Sequence, residues 1–311
     1  MADKIATREA YGKALAEFGD IYDIVVLDAD LAAATKTEVF KKKFPDRFFD
    51  CGIAENNMFA VAAGLATTGM IPFASTFAMF AAGRSFDQVR NSIGYPHLNV
   101  KIGATHAGIT VGEDGATHQC NEDIALMRTI PGMTIINPAD ATEARLAVEA
   151  AIKFNGPVYM RFGRLAVPVL FDESYKFEIG KGVQMATGKD ATIIATGIEV
   201  YLALEAREIL AAEGIDAAVI NIHTIKPLDK DTIIDAAKRT GAIVTAEEHS
   251  IIGGLGSAVA ETLAETIPTP VLRVGINDIF GKSGPAADLI PQFQISSADI
   301  AQKVRDIVKM K

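Results

Sequence analysis

The 311-residue chain has only two cysteines, Cys51 and Cys120, and they form neither a CxxC pair nor a paired zinc spacing. This usage suits a reducing compartment and gives no sign of a disulfide framework. The chain also lacks a run of about 18 apolar residues that would span a bilayer. Residues 1–8 lack the apolar core of a secretory signal. These absences predict a soluble cytoplasmic protein without a membrane segment.

Positive charge is scarce as well. The formal net charge is −9, and the one dense basic run is at residues 41–43. Because neutralising the phosphates of a nucleic acid needs clustered Lys and Arg, the composition argues against nucleic-acid binding. The basic run falls on a short predicted helix, where a solvated face is the simpler interpretation.

The chain is rich in alternating strand and helix signals. Short apolar stretches such as residues 24–27 and 100–104 alternate with helical periodicity such as residues 55–68 and 140–152. Short, continuously apolar strands between amphipathic helices are typical of a parallel sheet covered on both faces. We therefore predict an α/β protein with two consecutive doubly wound, mainly parallel-sheet domains.

The alternation stops between residues 163 and 190, where prolines, glycines and mixed charges replace it. Such a stretch is typical of a domain junction. It predicts one domain over residues 1–180 and a second over residues 181–311. Because open α/β sheets bind ligands outside the carboxyl ends of their strands, the functional residues are expected there.

A glycine-rich stretch, residues 103–120, follows one of these strands and carries His106, Glu113, Asp114 and His118. Four glycines favour a shaped loop over a helix. Polar recognition of a ligand is one interpretation, and a solvated surface loop is the alternative. A zinc site that combines His106, Asp114 and His118 with Cys120 is a third, although its spacing matches no common ligand pattern.

Other candidates are weaker on their own. Glu55 heads an otherwise apolar helix, which fits first-turn capping as well as a buried acid that exchanges a proton with a ligand nitrogen. Phe77 and Phe80 share a helix face, which fits core packing or a platform for a flat heterocycle. Arg161 and Arg8 fit ordinary salt bridges or anchoring of a carboxylate or phosphate.

Taken together, these residues resemble the transketolase family. The first half contains, in the family's order, CGIAENNM, PFASTFAMF, ATHAGITVGEDGATHQ, NPAD and YMRFGR. The second half contains IATGIEVYLAL, IHTIKPLD and AEEHSIIGGLGSAVAE, which resemble the transketolase C-terminal domain. The resemblance covers nearly the whole chain and identifies residues 1–180 as a thiamine diphosphate pyrimidine-binding domain.

The resemblance implies roles at the cofactor. Glu55 is similar to the glutamate that bonds the aminopyrimidine of thiamine diphosphate and activates it. Phe77 and Phe80 resemble the aromatic wall on which the pyrimidine stacks. Asp30 matches an aspartate near the thiazolium, and His118 matches a histidine that contacts the first hydroxyls of the donor sugar.

The resemblance also implies a substrate funnel. Asp114 matches the acid that reads the 2-hydroxyl of the acceptor, and His106, Arg161 and Arg8 match a phosphate-binding set. Two positions depart from the family. Ala34 stands where a serine often completes the phosphate set, and Gly83 stands where some members have a third aromatic. These departures imply weaker phosphate affinity and a slightly more open cofactor pocket.

The largest departure is the lack of a Gly-Asp-Gly motif. Transketolases bind the magnesium–diphosphate end of the cofactor with a GDG motif in a separate N-terminal domain. The resemblance therefore implies an N-terminal partner subunit that carries this motif and holds Mg²⁺ (or Ca²⁺), in an α2β2 heterotetramer.

The implied reaction transfers a two-carbon ketol unit between sugar phosphates, as in the pentose phosphate pathway. Deoxyxylulose phosphate synthase is an alternative, and His106 and Glu113 argue against it. The β subunit of a 2-oxo acid dehydrogenase is another, but that family lacks the loop with two histidines. A non-catalytic stabilising subunit would not need Glu55 or Asp114.

Overall fold

Strands and helices alternate along the chain in the computed structural model, which describes residues 3–311. The first two residues of the predicted domain 1–180 lie outside the described part. The predicted α/β class with two consecutive, mainly parallel sheets is confirmed. The strands are β1 Lys4–Ala6, β2 Ile24–Asp28, β3 Phe48–Asp50, β4 Ile71–Phe77, β5 Lys101–Thr105, β6 Thr134–Ile136, β7 Val158–Arg161, β8 Ala166–Pro168, β9 Val183–Ala186, β10 Ala191–Ala195, β11 Ala217–Asn221, β12 Thr224–Lys226, β13 Ile243–Ser250 and β14 Val271–Ile276. The helices are α1 Thr7–Phe18, α2 Ala32–Thr35, α3 Glu38–Lys43, α4 Glu55–Thr67, α5 Phe86–Gln88, α6 Asp123–Arg128, α7 Ala141–Lys153, α8 Glu199–Ala211, α9 Lys230–Thr240, α10 Leu255–Thr266, α11 Ala286–Gln292 and α12 Ser297–Lys309.

The first sheet has seven strands in the order β12-β6-β7-β5-β4-β2-β3. Every neighbouring pair is parallel apart from β12 and β6. Successive residues of β2 pack on opposite faces: Val25 and Leu27 join one apolar cluster, and Ile24 and Val26 join the other. Burial on both faces explains why this strand is continuously apolar in sequence.

The second sheet has five strands in the order β14-β13-β10-β11-β9, with β9 as an antiparallel edge. Helix α9 of this half begins and ends at capping residues. At the start of α9 the Asp229 carboxylate accepts a hydrogen bond from the backbone N–H of Thr232, and Gly241 ends the helix with φ 63°. Among residues 3–311, no helix combines the length and apolar character needed to cross a membrane.

One strand crosses the predicted domain boundary. β12 belongs to the second half of the sequence, yet it pairs with β6 at the edge of the first sheet, with Thr224 opposite Ile136. The halves are also joined where the Glu248 carboxylate accepts a hydrogen bond of 2.6 Å from the backbone N–H of Thr110. The second half therefore adds an edge strand to the first sheet and bonds to the first half at Thr110. The domain boundary at residue 180 stays a prediction.

The apolar spacing of residues 77–92 predicts one helix, and the segment after β4 differs from this prediction. The structure has two π-helical turns, Met79–Arg84 and Val89–Gly94, on either side of the short helix α5. Over six residues, apolar spacing does not separate i→i+5 from i→i+4 hydrogen bonding, so sequence periodicity misses these turns. Short π-helical turns are rare and occur often at functional sites.

Candidate active site

The candidate site lies where three neighbouring strands of the first sheet end. β2, β4 and β5 are adjacent, and Phe77 at the end of β4 pairs with Thr105 at the end of β5. Asp28, the last residue of β2, pairs with Ser75. The parallel direction of these strands brings the loops that follow them to one edge of the sheet, as predicted for an open α/β fold.

Phe77 and Phe80 form the aromatic side of the site. Their rings are stacked, with centroids 5.6 Å apart and an angle of 18° between planes. The ring of His106 lies 3.8 Å from that of Phe77, and the ring of His118 meets Phe80 edge-on at 5.5 Å. Strand β4 and the following π-helical turn thus bring the aromatic pair together with both loop histidines.

Glu55 begins α4 and is only 2% exposed. Nη1 of Arg84 lies 2.8 Å from its Oε1 and 3.0 Å from its Oε2. The guanidinium of Arg84 also lies over the ring of Phe80, 4.3 Å from the centroid. The carboxylate therefore bonds to a side chain beside the aromatic pair and not to the backbone N–H groups of its own helix.

The glycine-rich stretch forms the loop that the sequence predicts, with one 3-10 turn at Ile109–Val111. Gly108 has φ 78°, and a Cβ there would lie 2.2 Å from the carboxyl carbon of Glu248, so only glycine fits. The side-chain amide of Gln119 donates to the carbonyl oxygens of Ile109 and Lys282. The second half of the chain thereby fixes the loop, which leaves Asp114 exposed and His118 half-buried.

Two arginines, Arg8 and Arg164, form a positively charged corner beside the loop. Nη1 of Arg8 donates to the carbonyl of Ala34 at 2.8 Å and lies 3.1 Å from Nε2 of His106. Burial, followed by the charges of Arg8 and Arg164, lowers the pKa of His106 to about 3. Burial, followed by the charge of Arg164, lowers the pKa of Arg8. An anion bound next to Arg8 and Arg164 would reduce this repulsion.

Arg161 does not join this corner, although the resemblance assigns it to the phosphate-binding set. Its side chain is 3% exposed, and its Nε lies 2.9 Å from Oδ2 of Asp123, which is fully buried. Another of its nitrogens donates to the carbonyl of Glu248 at 2.8 Å. Arg161 is the last residue of β7 and is buried with its partners, so its charge is neutralised within the protein interior.

The arginine that reaches the corner is Arg164, three residues further along, where the chain has left β7. Its guanidinium pairs with Glu113 at 3.0 Å, and both side chains are partly exposed. The resemblance assigns Arg161, and not Arg164, to the phosphate-binding set. The signal is present in the motif YMRFGR, because a residue beyond a buried strand has freer access to the sheet edge than one inside it.

The departures at Ala34 and Gly83 differ in how the neighbouring residue compensates for them. The hydroxyl of Thr35, next to Ala34, bonds to Asp28 at 2.7 Å, so it does not replace the family's serine. Met79 approaches Gly83 so closely that a Cβ would lie 2.0 Å from its methyl group. Met79 thus occupies the space next to Gly83, which the sequence analysis expected to be more open.

Asp30 lies apart from the buried groups. It is exposed just beyond β2, with φ 62°, and its backbone N–H donates to Oδ1 of Asp50 at 3.2 Å. Burial raises the pKa of the nearby Asp28 to about 6. Between residues 3 and 311, no group of three or more His, Cys, Asp or Glu side chains is placed to hold a metal ion, including the set of His106, Asp114, His118 and Cys120.

Two family profiles match the chain. Residues 3–169 match the transketolase pyrimidine binding domain, and residues 180–300 match the transketolase C-terminal domain. A protein from Methanocaldococcus jannaschii named as a transketolase C-terminal section is 50% identical over 306 residues, which cover 97% of this chain and 96% of that protein. Human transketolase is 38% identical over 313 residues, which cover 99% of this chain and 50% of the human protein.

A solved structure titled as a split gene transketolase, inactive β4 tetramer, is similar throughout. The TM-score is 0.93 and the sequence identity is 54%, and the match covers 99% of each chain.

Proposed function

Because the chain belongs to the transketolase family, we propose that it is the C-terminal subunit of a two-chain, thiamine diphosphate-dependent transketolase. The enzyme transfers a two-carbon ketol unit between sugar phosphates. One observation carries the proposal: a buried carboxylate, Glu55, bonds to Arg84, whose guanidinium lies over the ring of Phe80 in the stacked pair Phe77 and Phe80. A flat heterocycle with a basic ring nitrogen needs this combination of an aromatic face and a carboxyl group.

The residues of the candidate site fit the aminopyrimidine ring of thiamine diphosphate better than its diphosphate group. Glu55 would bond the pyrimidine nitrogen, and Phe80 would stack against the ring. A hydrated magnesium diphosphate needs several oxygen ligands, and the residues of 3–311 do not group in that way. When bound, thiamine diphosphate supplies the carbon nucleophile, while the protein orients the substrate and moves protons.

A partner chain would supply the rest of the site. The chain spans about half of human transketolase, and the similar split gene transketolase is described as inactive in its β4 form. Both facts favour an N-terminal subunit with a GDG motif that binds Mg²⁺ or Ca²⁺. We propose that two copies of each subunit form an α2β2 enzyme.

The remaining side chains would act on the substrates. His118, half-buried beside Phe80, would donate to the first hydroxyls of the donor sugar, and exposed Asp114 would read the 2-hydroxyl of the acceptor. Arg8 and Arg164, whose charges raise the electrostatic potential at the corner, would bind the substrate phosphate. Asp30 would lie next to the thiazolium. His106 would orient Arg8 through its contact at Nε2.

The proposal is tested by reconstitution. The chain is mixed with a GDG-bearing candidate partner, Mg²⁺ and thiamine diphosphate, and two-carbon transfer from a ketose phosphate to an aldose phosphate is measured. Glu55→Gln should abolish most turnover while the mixed complex still forms in size-exclusion chromatography. Glu205→Gln, at an exposed helix position, is the matched control. Undiminished turnover in the Glu55 variant would remove Glu55 from the mechanism, and a wild-type mixture without two-carbon transfer would refute the proposal.

A further inference from the structure

Arg84 contacts Phe80 and Glu55 at the same time. Its guanidinium lies 4.3 Å from the centroid of Phe80, and its Nη1 reaches both oxygens of Glu55 at 2.8 and 3.0 Å. A guanidinium is flat, carries N–H donors at its edge and stacks on aromatic faces. An aminopyrimidine ring is also flat, and in the proposed function it stacks on Phe80 and bonds Glu55.

We propose that Arg84 occupies the pyrimidine position before the cofactor binds, as a built-in competitor that the cofactor must displace. The inference rests on the proposed function, since it takes Glu55 and Phe80 as the pyrimidine site. Two flat groups cannot occupy the same face of Phe80 and the same carboxylate together. Cofactor binding and the Arg84–Glu55 ion pair are therefore mutually exclusive.

The burial of Glu55 explains why a competitor is useful. The side chain of Glu55 is 3% exposed, and within the described part of the chain Arg84 is its one side-chain hydrogen-bond donor. A buried carboxylate without a counter-charge is costly. Arg84 neutralises this charge until a ring with its own donors replaces it.

The position of Arg84 allows it to leave. Its side chain is 48% exposed, so it can turn into solvent without opening the core. It is the last residue of the π-helical turn Met79–Arg84, which also carries Phe80. The same short turn thus holds the aromatic platform and the group that covers it.

The experiment measures thiamine diphosphate binding to the reconstituted complex with Mg²⁺, by isothermal titration calorimetry. Arg84→Met removes the competitor, so the Kd should fall about three- to ten-fold, the range expected for loss of a partly exposed charged pair. Arg90→Met, at an exposed arginine in the next turn, should leave the Kd unchanged. Arg84→Lys keeps the charge without the flat group and should give a smaller decrease, which keeps the test available if the methionine variant does not fold.

A second readout uses the chain by itself. Arg84→Met should lower its Tm relative to Arg90→Met, and the difference should shrink when Glu55→Gln is added to both. An unchanged or higher Kd in the Arg84 variants, with normal binding by the wild-type complex, would overturn the competitor inference alone. If the wild-type complex binds no thiamine diphosphate, both this inference and the proposed function fail.

Discussion

Nη1 of Arg8 lies 3.1 Å from Nε2 of His106, and Nδ1 of the same ring lies 2.9 Å from the hydroxyl oxygen of Thr105. Because a guanidinium only donates hydrogen bonds, Nε2 must accept, which leaves the proton on Nδ1 for donation to Thr105. This neutral tautomer agrees with the lowered pKa of His106. His106 therefore orients Arg8, which the proposed function places with Arg164 at the substrate phosphate.

Arg164→Gln tests the phosphate assignment. A charge-assisted hydrogen bond contributes about 1.5–3 kcal/mol, so kcat/KM for phosphorylated substrates should fall about 10- to 100-fold. The loss should lie mainly in KM, because the phosphate is remote from the reacting carbons. Steady-state kinetics with a sugar phosphate and its unphosphorylated analogue measure this, and equal losses for both substrates would contradict the assignment.

Arg161→Gln should act on stability, because it removes one partner of a buried ion pair and leaves Asp123 buried without a counter-charge. Breaking such a pair costs about 3–5 kcal/mol. Urea unfolding of the chain should show this loss, whereas Arg164→Gln, at a partly exposed pair, should shift the free energy of unfolding by less than about 1 kcal/mol. Equal effects of the two substitutions on the free energy of unfolding would contradict the assignment of Arg161 to a buried ion pair and of Arg164 to a partly exposed one.

Arg161 and Arg164 show which features of the candidate site can be predicted from the sequence and which cannot. The fold class, the glycine-rich loop and the proximity of Phe77 to the loop histidines could be predicted, since strand ends in a parallel sheet point to one edge. The choice between Arg161 and Arg164 depends on which residue lies inside β7 and which lies beyond it, and predicted strand ends are uncertain by a few residues.

The contacts of Arg84 show a second limit of prediction from sequence. It follows Phe80 by four residues, which places the two on one side of a helix, but the ion pair to Glu55 is a tertiary contact between α4 and the π-helical turn. Likewise, the pairing of β12 with β6 joins segments about 90 residues apart. Local patterns contain no information on such contacts, which packing alone determines.

His118→Ala should reduce the rate of two-carbon transfer about 100- to 1,000-fold, the range found when one donor to a reacting group is removed. The ring lies edge-on to Phe80 and is half-buried, so its loss should leave assembly intact. The test compares single-turnover rates with cofactor binding. A normal rate for the donor half-reaction would remove His118 from the mechanism.

His106→Gln should flatten the dependence of stability on pH, because glutamine does not titrate and still offers Arg8 an acceptor. The folded pKa of His106 is lowered to about 3, whereas an unfolded histidine titrates near 6.5. Between these values the unfolded chain binds more protons, so this group's contribution to stability is present above about pH 6.5 and is lost as the pH falls towards 3. The free energy of unfolding of the wild type, minus that of the variant, should fall by up to about 1.4 kcal/mol per pH unit between pH 6 and 4. Urea titrations at pH 8 give the baseline, and a difference that stays constant with pH would show that His106 is not held neutral in the folded chain.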